Sequence, residues 1–208
     1  MPSVRPARRA DVPAIVQLQT ISLPHFPLPD PGPAFLRAFY AFVLRDHRGL
    51  LFVSESNQAL AGFVAGFSDP AGLYQNVSSE RLRLFAATSA CLARHPIQLP
   101  RFFQDLRRSS RLTCELATSG KAACELITIA VQPRLRRRGH GRALTRAFLE
   151  AARRNKAAQV CVHIGSNDRG MALFYQRLGF IPFRTFRASD TQWMDEYVLT
   201  IPQTERAS

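Results

Sequence analysis

The sequence predicts an α/β chain (α+β by some schemes), a sheet of about seven strands flanked by helices. Three observations support that class. The carboxyl half alternates β-branched runs with amphipathic stretches, the pattern of a βαβ unit with a right-handed crossover. The amino half offers two helical stretches followed by two apolar runs around a short polar turn. Between the halves, about residues 68–120 break the pattern and read as a helical insertion between the third and fourth strands.

Taken in order, Val4 and Arg5 close a short first strand. Asp11 offers an N-cap, with Pro13 in the first turn of a helix that carries Ile15 and Leu18. The Pro-rich stretch from Leu23 to Pro33 reads as a loop, and Phe35, Phe39 and Val43 mark a second helix. Leu50–Glu55 and Leu60–Phe67 flank Ser56-Asn57-Gln58 as a hairpin. Within the insertion, helical pieces fall near Ser79–Arg94 and Phe102–Arg108, broken at Pro96 and Pro100. The rest runs strand (Cys124–Val131), helix (about Gly141–Asn155), strand (Gln159–Ile164), helix (about Arg169–Leu178) and strand (Ile181–Phe186). Trp193–Ile201 reads as a final strand. Leu144, Ala147, Phe148 and Ala151 form one apolar helix face, and Met171, Phe174 and Leu178 another; both read as core.

At 208 residues and 46% hydrophobic, the chain is expected to fold as one domain over residues 1–208. No apolar run approaches the roughly 20 residues of a membrane span. The Arg-rich N-terminus lacks the apolar segment of a secretory signal. Cys91, Cys114, Cys124 and Cys161 show no disulfide or metal spacing and suit a reducing cytoplasm. The five histidines are scattered, so no metal is expected. The formal net charge is +13, yet only Lys121 and Lys156 are lysines and no RNA-binding or zinc-finger pattern accompanies the arginines. Most of that charge reads as solvated helix faces, which argues against a nucleic-acid partner.

The Arg136–Arg138 run is the exception. In Ile129-Ala130-Val131-Gln132-Pro133-Arg134-Leu135-Arg136-Arg137-Arg138-Gly139-His140-Gly141-Arg142, a strand passes through a cationic Gly-containing turn into a helix. Helix N-termini present unpaired N–H groups and a positive dipole end, and glycine lets the main chain approach an anion. The turn lacks the Gly-Lys-Ser/Thr ending of a Walker A loop and is not GxGxxG.

Arg136-x-x-Gly139-x-Gly141 after a Val-x-Pro strand end resembles the coenzyme A loop of the GNAT superfamily of N-acetyltransferases. The segment from Asn167 through Tyr175 to Gly179-Phe180 resembles the closing helix of the same family. The resemblance implies a mixed twisted sheet, the GNAT fold, with acetyl-CoA as co-substrate, an acyltransferase activity and an amine acceptor. Ile129, Ala130 and Val131 would offer main-chain groups to the pantetheine arm. Arg137, Arg138, Gly139, His140, Gly141 and Arg142 would hold the pyrophosphate, with Arg136 adding attraction and Asn167 contacting the coenzyme; Asp168 competes for that last match. Tyr175 matches the tyrosine that protonates the departing thiolate. A core tyrosine with a satisfied hydroxyl is the bland alternative.

Acetyl transfer to an amine also needs a proton acceptor. Glu125, six residues before Val131, corresponds to the glutamate base of the histone-acetylating branch. Strict alternation would set it on one face with Ile127, Ile129 and Val131, where burial raises a carboxyl pKa. His163 falls where peptide N-terminal acetyltransferases carry a base, and imidazole titrates near neutrality. Ordered water is the third candidate. A small-molecule or sugar amine is the expected acceptor, against a peptide or protein amine. A non-catalytic coenzyme A-binding module and a nucleic-acid binder are the competing classes. Monomer and homodimer both stay open.

Overall fold

The structure, a computed structural model, describes residues 2–23, 32–57, 59–70, 123–187 and 193–202. The insertion's expected helices, and with them Cys91 and Cys114, lie outside the described residues. Along the chain come β1 (Ser3–Pro6), α1 (Val12–Ser22), α2 (Gly32–Arg45), β2 (Gly49–Ser56), β3 (Ala59–Phe67) and β4 (Ala123–Val131). Then follow α3 (His140–Arg154), β5 (Gln159–Gly165), α4 (Arg169–Gln176), β6 (Ile181–Arg187) and β7 (Trp193–Thr200).

The strands form one seven-stranded sheet in the order β1-β2-β3-β4-β5-β7-β6. Only β4 and β5 run parallel; every other neighbouring pair is antiparallel. The parallel pair follows from the α3 crossover, since two parallel strands cannot be joined by a tight turn. The last strand, β7, inserts between β5 and β6, so it lies directly beside β5.

Two cores cover the two faces. Leu144 and Phe148 of α3 are fully buried against Val64, Leu126, Val160 and Val162, with Tyr175 and Phe180 in the same cluster. On the other face Ile15 of α1 and Leu36, Tyr40 and Val43 of α2 pack on Val53, Phe63 and Ala65. Burying each large apolar side chain is worth about 1.5–3 kcal/mol, so these helices are held by their inward stripes. Two local expectations need correction. The α2 helix begins at Gly32, so Pro33 opens a helix rather than ending a loop, as its fixed φ allows. Asp11 sits at the N-cap of α1 without capping it. Its carboxylate instead accepts from the Arg5 guanidinium and from the Arg8 N–H, and the Arg5 contact holds its pKa below the usual carboxylate value.

A larger correction concerns β4. Ala65 pairs with Thr128 and Gly66 with Leu126, so Ile127 is an extra residue, a β-bulge. The bulge reverses the alternation. Glu125 and Ile127 share the α1/α2 side, whereas Ile129 and Val131 pack with the α3/α4 core. Glu125 is therefore not on one face with Ile129 and Val131. Gly66 makes this geometry feasible, because a Cβ there would overlap the Glu125 carbonyl oxygen and stand 2.8 Å from the Phe148 ring. Gly66→Ala should cost roughly 2–3 kcal/mol by overpacking. Thermal denaturation would show it as a Tm lowered by roughly 5–10 °C.

Candidate active site

The site forms where β4 and β5 part. Their pairing runs from Ala123↔Gln159 to Leu126↔Val162 and stops, although β4 continues to Val131 and β5 to Gly165. The parting begins at the bulge. Beyond it, β5 stays paired to β7 as far as Gly165↔Met194, and β4 to β3 as far as Val131↔Gly62. The main-chain groups of residues 127–131 that point toward β5 thus have no strand partner. A cleft opens at the carboxyl ends of the parallel strands, where open α/β sheets bind ligands.

The cationic turn lies at one lip. Pro133–Leu135 make a single 3-10 turn, Arg137 takes a left-handed φ of 60°, and Gly139 takes 89° at the N-cap of α3. No side chain caps α3, and its first internal bond runs from the Ala143 N–H to the Gly139 carbonyl at 3.0 Å. The N–H groups of His140, Gly141 and Arg142 therefore face outward, a cradle for an anion. Arg137, Arg138 and Arg142 are exposed around it, while the Arg136 Nε donates to the Val131 carbonyl at 3.3 Å. The Gly141 Cα stands close to α4, where a Cβ would touch the Phe174 ring at 3.4 Å.

His140 departs from a simple ligand role. Its imidazole is buried, with Nδ1 2.6 Å from the Ser54 hydroxyl of β2, so only its main chain faces the cradle. That hydrogen bond ties the start of α3 to the sheet. Opposite, the loop from β5 to α4 carries Asn167, whose side chain is exposed. Asp168 is engaged otherwise: it caps α4 by accepting the Met171 N–H at 2.9 Å.

Tyr175 is held by the end of α4. The Phe180 N–H donates to the Tyr175 carbonyl at 3.1 Å and the Gly179 N–H to the Gln176 carbonyl at 3.0 Å. Gly179 has φ 92°. This is a Schellman motif, whose accompanying apolar contact is Phe180 against Tyr175, rings 5.2 Å apart and edge-on. The Tyr-x-x-x-Gly-Phe spacing is thus a capping device that fixes the tyrosine. Tyr175 is 1% exposed, burial alone pushes its phenol pKa up, and none of the described residues hydrogen-bonds its hydroxyl.

On the α1/α2 side of the sheet, beside the parting, Glu125 and His163 meet. The sequence makes them rival bases; the structure puts the His163 Nδ1 3.5 Å from the Glu125 carboxylate. A third residue escaped the sequence reading. Glu196 of β7 is directly opposite His163 in the β5–β7 register, with Oε1 3.4 Å from Nε2. Glu196 is fully buried, and its Oε2 accepts from the Arg184 Nε of β6 at 2.6 Å. Desolvation lowers the His163 pKa, but the two carboxylates outweigh it and bring it to about 9. Cys161, on the same face, stays a neutral thiol because burial and the same carboxylates push its pKa well up. Among the described residues no group of three or more His, Cys, Asp or Glu could hold a metal ion. No helix among them is long and apolar enough to cross a membrane.

Residues 110–182 match the family model of the acetyltransferase (GNAT) domain. A search of the curated proteins finds no match. Solved structures of similar fold include SsHAT, at 23% identity and TM-score 0.68 over 96% of this chain and 98% of that one. The ribosomal-protein-S18-alanine N-acetyltransferase of Escherichia coli aligns at 16% identity and TM-score 0.61, covering 97% and 94%. Salmonella typhimurium yncA, solved with its cofactor acetyl-CoA, aligns at 15% identity and TM-score 0.60, covering 100% and 96%. The match to the acetyltransferase (GNAT) domain model is confined to residues 110–182, and the mixed seven-stranded sheet of this chain is similar in fold to those solved structures.

Proposed function

We propose that this chain, as one domain over residues 1–208, moves the acetyl group of acetyl-CoA to a primary amine by direct transfer in a ternary complex. A small-molecule or sugar amine is the proposed acceptor. The observation that carries the reading is the parting of β4 and β5 at Leu126↔Val162, with an uncapped helix N-terminus on one side and a buried acid–imidazole cluster on the other. One lip suits a diphosphate and the other suits amine deprotonation. The yncA structure supports acetyl-CoA as the co-substrate. The buried free thiols Cys124 and Cys161 suit a reducing cytoplasm.

In this reading the thioester supplies an acyl group already activated for attack. The unpaired edge of Ile129, Ala130 and Val131 hydrogen-bonds the extended pantetheine arm as a neighbouring strand would. The N–H groups of His140, Gly141 and Arg142 hold the pyrophosphate, with the exposed arginines around them and Asn167 across the cleft. The acceptor ammonium loses its proton to Glu125, in contact with His163, and the free amine attacks. As the C–S bond breaks, Tyr175 donates its phenolic proton to the leaving thiolate, and the second proton shed by the acylated nitrogen restores the phenol. Burial keeps the phenol protonated, so it carries the proton to be given, although the raised pKa makes it a weaker acid.

Gly139→Ala tests the cradle alone. A Cβ there meets only Pro2 at 3.7 Å, so the substitution acts through the positive φ. Left-handed backbone costs a non-glycine residue roughly 1–2 kcal/mol. Affinity for acetyl-CoA should fall about tenfold by calorimetry, with kcat little changed.

A peptide amine is the second reading, favoured by the likeness to the S18-alanine N-acetyltransferase. Thiol release from acetyl-CoA against aminosugars, polyamines, amino acids and peptides decides between them. Release with small amines supports the leading reading, and release with peptides alone replaces its acceptor. Acetyl-CoA binding with no release anywhere would leave a coenzyme A-binding module.

A further inference from the structure

Outside the residues that the family motifs point to, the described part of the sheet carries a buried carboxylate paired with a half-buried guanidinium and in line with the site: Glu196 and Arg184. We propose that Glu196, clamped by Arg184, is a positioning residue that makes His163 the resting place of the proton taken from the acceptor amine. The inference rests on the proposed transferase reading and deepens it.

The geometry is a chain across four strands. Glu125 (β4), His163 (β5), Glu196 (β7) and Arg184 (β6) follow one another at 3.5, 3.4 and 2.6 Å. His163 Nε2 and Glu196 Oε1 are both buried and neither makes a hydrogen bond among the described residues, so the 3.4 Å approach between them is a charge contact. The Arg184 contact uses the second carboxylate oxygen and fixes the carboxyl plane. The Phe186 ring, edge-on at 5.2 Å, closes the imidazole from the β6 side. The imidazole is thereby held with Nε2 on the Glu196 side and Nδ1 on the Glu125 side.

The charges support the same arrangement. The described groups facing His163 are Glu125 and Glu196, with Arg184 behind Glu196 and the neutral Cys161 thiol on its own strand. The two carboxylates beside the imidazole favour its protonated form, so a proton arriving there is stabilised. The N–H bond of the ammonium breaks, its proton passes to the Glu125 carboxylate, and from there to His163 Nδ1. Solvent removes it before the next turnover.

The sign of the pH dependence follows. The accepting form has neutral His163, so kcat/KM should rise with pH and level off near pH 9. Removing the Glu196 charge removes one of the two carboxylates that raise that value, so the rise should move to lower pH. Removing the Arg184 charge leaves Glu196 a stronger partner for the imidazolium, so the rise should not move down.

The test is NMR titration of the His163 ring alongside kcat/KM against pH, in wild type, Glu196→Gln and Arg184→Gln. The expected result is a His163 midpoint lowered by a pH unit or more in Glu196→Gln and not lowered in Arg184→Gln. The kinetic profile should follow each midpoint. A midpoint unmoved by Glu196→Gln overturns the proposal, as does a kinetic profile that stays put while the midpoint moves. Wild-type enzyme that transfers acetyl to no amine overturns the transferase reading itself, which the titration distinguishes from failure of the Glu196 coupling. Should Glu196→Gln not fold, a lowered midpoint in Arg184→Gln is by itself contradictory.

Discussion

Tyr175→Phe should reduce kcat by roughly 10²–10⁴-fold, the usual worth of a positioned proton donor. The ring stays, so the contacts with Phe174 and Phe180 at 5.1 and 5.2 Å remain, and with them the end of α4. The hydroxyl makes no hydrogen bond to the described residues, so its loss leaves no partner stranded. Thermal stability and acetyl-CoA affinity should therefore match wild type while turnover collapses. A Tyr175→Phe protein of full activity would return the tyrosine to a packing role. One that no longer binds acetyl-CoA would show that the hydroxyl serves binding instead.

Glu125→Gln should have an effect of similar size, roughly 10²–10⁴ in kcat at neutral pH. The substitution keeps the shape but removes the charge nearest the parting and one of the two carboxylates around His163. Its signature is the pH dependence of the deficit. An acceptor ammonium of ordinary basicity, with pKa about 10, deprotonates unaided as pH rises toward that value. The gap between wild type and variant should therefore narrow above pH 9. Damage to packing around the bulge would give a gap that does not narrow. Initial rates across pH 6–10 separate the two cases.

Much of the fold was legible because its signals are local. The β4–turn–α3 passage declares itself through Pro133, Gly139 and the arginines, and the α4 ending through the Gly179-Phe180 cap. Each is a short-range backbone requirement written in residue type. The apolar stripe of α3 likewise found its place in the core through Leu144 and Phe148. What stayed hidden depends on pairing between distant strands. The bulge at Ile127 has no composition signature: the run Leu126-Ile127-Thr128-Ile129 reads as unbroken strand. The space for it comes from Gly66 on the neighbouring strand.

Glu196 was missed for the same reason. Asp195-Glu196 is an adjacent acidic pair in a strand, so alternation must send one to each face, and nothing local says which. The β5–β7 register decides it, placing Glu196 against His163 and Asp195 against Ile164. The available signal was an acid alternating with Val198 on the same strand. Glu125 and His163 looked like alternatives because each was weighed on its own strand. The parallel pairing of Glu125 with Cys161, two residues before His163, brings them into one cluster.

The central claim is that acetyl-CoA lies where β4 and β5 part. Amide hydrogen exchange with and without saturating acetyl-CoA tests it most directly, because unpaired strand edges and uncapped helix N–H groups are exposed to solvent until a ligand covers them. The expected result is protection gained at one or more amides within residues 129–131 and at residues 140–142, with α1 and the hairpin of β2 and β3 unchanged. Binding of acetyl-CoA with no protection in either segment would contradict the account.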